Sequence, residues 1–240
     1  MILTKEMVDE KIDELYDALK NKAQRIGPLD DYHHTYHTTI VNDITLDGLW
    51  LEFGVYRGRS ITTFAENTDN LIFGFDSFEG LPEHWDSDNP KGCYSLAGSI
   101  PEGAISGSND DNPGMHSSAP TNTIKPWPKN VKLVKGLFEY SLPPFLETTK
   151  GDAAFIHIDS DIYSSCKTVL DNLKDRIKHG TVIAFDEICD YPDYRIGEIK
   201  AFAEFLLDNN WDYECTYHQH FAKYDPSAYS QGCFIIKDKI

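Results

Sequence analysis

Hydrophobic and polar positions change rhythm along the chain. Between residues 4 and 25, Val8, Ile12, Leu15 and Leu19 recur at helical spacing with charges between them, which predicts an amphipathic helix. Thr4 is placed to cap its start and Gly27-Pro28 to stop it. Such a helix packs either on the rest of the chain or against a partner subunit. The next stretch, "LDDYHHTYHTTI", has no clear period. Its histidines His33, His34 and His37 read as polar loop or helix-end residues, with a role in covering a site left open. From residue 49 short apolar runs alternate with helical patterns. "LWLEFGVY", "NLIFGFD", "NVKLVKG" (130–136), "AAFIHID" (153–159) and "TVIAFDE" (181–187) read as strands. "RGRSITTFAENT" reads as a turn and helix, "SSCKTVLDNLKDRIK" as a helix stopped by His179-Gly180, and "IGEIKAFAEFLLDNN" (196–210) as a helix. "WDYECTYHQ" and "QGCFIIKD" read as two closing strands without a helix between them, hence an antiparallel edge. The alternation predicts an α/β fold: a mostly parallel sheet with helices on both faces.

One segment breaks the rhythm. Residues 83–129 are rich in Gly, Pro, Ser, Asn and Asp, and loops of that length are functional or disordered. Trp85, Tyr94, Met115 and Trp127 give it more anchoring bulk than a linker needs. It reads as a partly ordered, lid-like insertion, with plain disorder as the alternative. The expected organisation is a helical segment over 1–48, serving as a cap or an oligomerisation element, and a main domain over 49–240.

Composition narrows the function. The formal net charge is −17, from 39 acidic and 22 basic residues, so the basic footprint that phosphate binding needs is missing. Nucleic acid and anionic membranes are not expected partners. The charged N-terminus has no apolar leader, and no apolar run nears the ~20 residues of a membrane span. Cys93, Cys166, Cys189, Cys215 and Cys233 form no C-x-x-C pair. They read as reduced, mostly buried thiols of a cytoplasmic protein, with no zinc site expected on them.

In an open parallel sheet, ligands bind beyond the carboxyl ends of the strands. Glu52, Gly54, Gly58 and Ser60 stand there after the first strand, and Asp76, Ser77, Phe78 and Glu79 after the second. Gly136 and Phe138 follow the third, Asp159, Asp161 and Tyr163 the fourth, Asp186 and Glu187 the fifth. A single Asp after a strand is ordinarily a helix cap; acids after four of five strands favour a site. "EFGVYRGRS" has Gly54-x-x-x-Gly58 in place of G-x-G-x-x-G, which suits a cofactor without phosphates better than a dinucleotide. Asp76, 22 residues beyond Gly54, stands where an acid commonly accepts bonds from ribose hydroxyls.

"IHIDSDIY" ends an apolar run in two aspartates, which alternation points to the same side. Carboxylates that close repel unless a cation or a proton joins them. Asp159, Asp161, Asp186 and Glu187 therefore read as a site for a hard divalent cation, Mg²⁺ or Ca²⁺. A carboxylate not bound to the ion is free to act as a base toward a substrate hydroxyl.

"LEFGVYRGRSI", "IFGFDSFEGLPE", "VKLVKGLFEYSLP", "FIHIDSDIYSSCKTVLDNL" and "GTVIAFDE", in this order, resemble the macrocin O-methyltransferase-type family over about residues 49 to 190. Its members are class I, S-adenosylmethionine-dependent, Mg²⁺-dependent O-methyltransferases acting on sugar hydroxyls of antibiotics, a natural-product chemistry. The resemblance implies a Rossmann-like, mostly parallel seven-strand sheet with an antiparallel last strand. It implies that Glu52, Gly54 and Ser60, with Tyr56 and Gly58 in the same turn, surround the methionine part of the cofactor. Asp76 holds the ribose, Ser77 and Phe78 lie beside the adenosine, and Gly136 and Phe138 lie near the adenine. Asp159, Asp186 and Glu187 become the metal ligands and Asp161 the catalytic base, although Asp159 and Asp161 could exchange roles; Asp159 also borders the cofactor. The family has two aspartates where this chain has Asp186-Glu187, and the long 83–129 loop points to a different acceptor. The implied partners are a hydroxylated small-molecule or glycan acceptor and, through the N-terminal helix, a second copy of the chain. The rival readings are a metal-dependent hydrolase, an NAD-type oxidoreductase and a non-catalytic binding protein.

Overall fold

The computed structural model describes residues 2–26, 32–106, 123–220 and 229–239. Helix α1 (Lys5–Asn21) begins where Thr4 Oγ1 accepts the Met7 N–H at 3.3 Å; the expected stop at Gly27-Pro28 lies outside the described residues. A two-residue strand β1 (Gln24–Arg25) follows, then α2 (Tyr32–Val41), β2 (Leu49–Phe53), α3 (Arg59–Glu66) and β3 (Ile72–Asp76). A small ribbon of β4 (Ala104–Ser106) and β5 (Thr123–Lys125) comes next, then β6 (Val131–Lys135) and α4 (Phe138–Thr148). β7 (Ala153–Ile158), α5 (Tyr163–Leu173), β8 (Val182–Cys189), α6 (Glu198–Asn209), β9 (Trp211–His220) and β10 (Ser230–Lys239) complete the chain.

The main sheet has eight strands in the order β1-β9-β10-β8-β7-β2-β3-β6. Only β10 runs antiparallel, against both β8 and β9, so the expected antiparallel closing strand is present. β1, paired parallel to β9, adds an edge to the seven expected strands. The order reverses between β2 and β7, and a reversal of that kind opens a crevice at the carboxyl ends of the strands.

Alternation along the strands feeds two cores. Leu51, Phe53, Phe75, Ile156 and Phe185 pack with α1, α4, α5 and α6 on one face. Trp50, Ile72, Phe155 and Ala184 pack with α2 and α3 on the other. Each such large side chain contributes about 1.5–3 kcal/mol on burial. The apolar stripe of α1 joins the first core, with Ile12 and Leu15 fully buried, and the helix packs on α6. Among the described residues no helix is long and apolar enough to cross a membrane.

The structure corrects several local expectations. β8 continues to Cys189, because β10 pairs with it as far as a Ser230–Cys189 contact; Asp186 and Glu187 thus lie inside a strand. The "LDDYHHTYHTTI" stretch is helical over Tyr32–Val41, and His37 is buried. α4 forms despite Pro143 and Pro144 inside it. α5 ends at Leu173, short of His179-Gly180. In the 83–129 segment, residues 83–106 and 123–129 are described and carry the β4–β5 ribbon; Met115 lies outside the described residues.

Candidate active site

Asp76 ties two turns together at the end of β3. Its Oδ2 accepts the N–H groups of Val55 (2.9 Å) and Tyr56 (2.7 Å), and its Oδ1 accepts the Phe78 N–H at 2.6 Å. These bonds hold Tyr56 and Phe78 at φ of 45° and 57°, a left-handed conformation that side chains rarely adopt. Ser77 Oγ accepts the Glu79 N–H. Gly136 follows β6 with φ 139°, and its N–H bonds to the Asp76 carbonyl. Phe138 begins α4 and packs edge-on against Phe53. Gly54, Tyr56, Gly58, Asp76, Ser77, Phe78, Gly136 and Phe138 therefore gather at the carboxyl ends of β2, β3 and β6, which are neighbours in the sheet. Glu52 and Ser60 sit beneath this rim. Ser60 Oγ donates to Glu52 Oε1 at 2.9 Å, and Glu52, fully buried, lies 3.4 Å from His157 Nδ1.

The described parts of residues 83–129 pack over the same rim. The Tyr94 ring meets Tyr56 edge-on. Trp127 donates its indole N–H to the Pro101 carbonyl and lays its ring against Gly58. Ser164 Oγ donates to Glu83, and Trp85 packs edge-on against Tyr191.

On the other side of the crevice, one oxygen each from Asp159, Asp186 and Glu187 lies within 4.8 Å of the others. Asp161 joins them by a route the sequence did not show. β7 ends at Ile158, and a turn with Ile162 N–H bonded to the Ser160 carbonyl puts Asp161 at φ 63°. Simple strand alternation does not align the two aspartates. Burial, then the charge of Asp186, pushes Asp161 up to about 7. The same two causes, in the same order, raise Asp159 and Glu187 well above the usual carboxylate range. Carboxylates that resist ionisation together lack positive charge. An all-oxygen set of this size fits a hard divalent cation, so the residues present suit the metal that the resemblance implies.

Three supporting side chains take no role from the sequence: Glu198 and Gln231 are not singled out there, and His37 reads as a loop or helix-end residue. Glu198, fully buried at the start of α6, accepts both the N–H (3.2 Å) and the hydroxyl (2.9 Å) of Ser160, so it fixes the turn between the two aspartates. His37 from α2 brings Nε2 to 3.7 Å from Asp186 Oδ1 and packs against His157 and Phe64. Burial lowers its pKa to about 4, so its ring is neutral. Gln231 from β10 donates to the same Asp186 oxygen. The only sequence signal was the unexplained polarity of these positions.

A pH prediction follows from Glu198 and Glu52, whose folded pKa values burial raises. Above about pH 4.3 the unfolded chain has released these protons while the folded chain keeps them. Stability from these groups is complete below that pH and is lost as pH rises through the folded values. Glu198→Gln, which mimics the neutral acid and keeps an acceptor for Ser160, is expected to flatten the fall in melting temperature as pH rises above about 4.3. A variant whose melting curve parallels the wild type at every pH contradicts a neutral Glu198.

The profile of a methyltransferase-domain family matches residues 51–188. With the sheet order and the strand-end rim, this defines the chain as a Rossmann-like methyltransferase of class I. It belongs to that methyltransferase-domain family. Solved structures of similar fold include CalS11, a calicheamicin methyltransferase, at 21% identity and TM-score 0.51, covering 96% of this chain and 93% of that one. The O-methyltransferase NovP shares 17% identity at TM-score 0.53, covering 85% of this chain and 79% of that one. An O-methyltransferase from Bacillus cereus in complex with SAH shares 13% identity at TM-score 0.51, covering 99% and 93%. No curated protein sequence matches the chain.

Proposed function

We propose that the chain is an S-adenosylmethionine-dependent O-methyltransferase acting on a hydroxyl of a sugar-like small molecule or glycan, assisted by a divalent metal. On this reading the chain is an enzyme of the macrocin O-methyltransferase type. The observation that carries the reading is the juxtaposition of the Asp76-tied double turn with the carboxylate cluster of Asp159, Asp186 and Glu187, beside which Asp161 is close enough to oppose the ionisation of Asp159 and Glu187. One protein of similar fold is named a calicheamicin methyltransferase, which is compatible with an acceptor of natural-product type without fixing it. The family match leaves the hydrolase and NAD-type readings without a basis.

The Gly54–Ser60 turn, Asp76, Ser77, Phe78, Gly136 and Phe138 are the residues to hold the cofactor. Bound S-adenosylmethionine supplies a sulfonium methyl open to in-line attack. Asp159, Asp186 and Glu187 are the residues to hold the metal, which lowers the pKa of a bound hydroxyl. Asp161 accepts the proton of the acceptor hydroxyl at a carboxylate oxygen. Glu198 and His37 keep Ser160 and Asp186 in place, and alignment of this kind supplies much of the acceleration. The described parts of the 83–129 segment, residues 83–106 and 123–129, serve as the lid. Tyr94 and Tyr191 lie close enough to Asp161 and Glu187 to feel their charge, and such rings suit the apolar face of a sugar.

The test is transfer of labelled methyl from S-adenosylmethionine to a panel of sugars, nucleotide sugars, glycosides and catechols, with Mg²⁺ or with EDTA. Transfer to a sugar-bearing acceptor, suppressed by EDTA, is the expected result. Transfer to catechols alone, or transfer indifferent to EDTA, contradicts the sugar or the metal part respectively.

A further inference from the structure

Beyond Glu187, β8 ends in a second polar cluster that the methyl-transfer reading does not use. Cys189 is buried, and its Sγ lies 3.7 Å from Asp190 Oδ2. His218, on β9, places Nε2 4.0 Å from the same oxygen. One donor atom each from Cys189, Asp190 and His218 lies within 4.8 Å of the others. His220 Nδ1 is 3.4 Å from that carboxylate oxygen and 2.9 Å from Ser230 Oγ. Asp190 is held in the left-handed region at φ 72°. Lys20 and Ser230 bond its Oδ2, and Tyr16 donates to its Oδ1 at 3.2 Å.

Lys20 accounts for the charge of Asp190. It does not account for His218. That side chain is 6% exposed, and its Nε2 is buried with no hydrogen-bond partner among the described residues. An unpartnered buried polar atom loses its hydration without compensation. Burial, then the charge of Lys20, lowers the imidazole pKa to about 4, so the ring is in the neutral form that ligates metals.

We propose that Cys189, Asp190 and His218 form a binding site for a borderline-soft divalent transition metal, with zinc the ion that a thiolate, carboxylate and imidazole set favours. Magnesium and calcium take oxygen ligands instead. Metal–ligand lengths of about 2.0–2.3 Å at tetrahedral angles put donor atoms roughly 3.3–3.6 Å apart; Cys189 Sγ and Asp190 Oδ2, at 3.7 Å, nearly meet that spacing, and His218 Nε2, 4.0 Å from the same oxygen, must close in by a rotation of its side chain. Binding displaces the Cys189 thiol proton to solvent and gives His218 Nε2 its partner. Lys20 and Tyr16 orient the carboxylate from α1, as groups behind a ligand commonly do, and His220 is next at hand for a fourth position. The absence of a C-x-x-C pair hid the site, because its donors come from the end of β8 and from β9, distant in sequence and placed on either side of β10 in the sheet. The proposal stands independently of the methyl-transfer reading.

Cobalt(II) is the probe, because its bond to a thiolate gives a near-ultraviolet charge-transfer absorption that no carboxylate site produces. Titration of the full chain is expected to give this absorption, saturating at one equivalent. It is expected to persist in Asp186→Asn, where the active-site cluster is damaged, and to vanish in Cys189→Ser. His218→Gln is expected to weaken cobalt at least ~10-fold, and it carries the test if Cys189→Ser does not fold by circular dichroism. No thiolate absorption in the wild type, its survival in Cys189→Ser, or unchanged affinity in folded His218→Gln overturns the site.

Discussion

Asp161→Asn is expected to lower methyl transfer by ~10²–10⁴-fold, the usual loss when a positioned base is removed, and to leave cofactor affinity within about twofold of wild type. The substitution isolates the base. Asparagine tolerates the left-handed conformation that Asp161 adopts at φ 63°, so the turn survives. It removes a carboxylate whose ionisation burial and Asp186 oppose, so stability does not fall. Asp161 makes none of the bonds that tie the Asp76 turns, so the cofactor side is untouched. Initial rates at saturating acceptor, with parallel S-adenosylhomocysteine titrations, check it. A rate within tenfold of wild type assigns the proton to another group, with Asp159 next in line.

Gly54→Ala is expected to abolish cofactor binding and cost about 2–5 kcal/mol of stability, combining left-handed strain with overpacking. Gly54 has φ 93°, and a Cβ there meets the Asp159 carbonyl oxygen at 1.7 Å and its carbonyl carbon at 2.7 Å. Both atoms are backbone, and the Asp159 N–H is bonded to the Phe53 carbonyl at 2.9 Å, so neither chain can step aside alone. The glycine turn and the first aspartate of the cluster must move together, which couples cofactor site to metal site. Gly58→Ala is the milder companion: at φ 81° it carries the same left-handed strain, but its Cβ meets the Trp127 side chain rather than backbone, so relief costs only the indole bond to the Pro101 carbonyl. Thermal melting of both variants, with S-adenosylhomocysteine titration, distinguishes them. A Gly54→Ala protein with the melting point and affinity of the wild type contradicts the close approach.

The central strands were legible because they carry mostly apolar runs, as in Ala153–Ile158, where all six residues are buried and His157 alone is polar. The acidic rim was legible because Asp76 and Asp159 stand where such runs stop. The length of β8 was hidden, since only pairing with β10 shows that Asp186 and Glu187 lie within a strand. α4 was hidden by its two prolines and α2 by its lack of an apolar stripe. The network below the cluster was not legible at all. His37, Glu198 and Gln231 come singly from α2, α6 and β10, and each acquires its role only by meeting Ser160 or Asp186 in space.

The most direct test of the central claim is calorimetric titration with S-adenosylhomocysteine, with and without Mg²⁺, on the wild type and on Asp76→Ala. Asp76 organises both turns through three backbone N–H groups, so its loss releases Tyr56 and Phe78 together. Micromolar binding by the wild type that disappears in Asp76→Ala is the result expected of this pocket. A folded wild type that binds no S-adenosylhomocysteine under either condition contradicts the methyltransferase reading of the site.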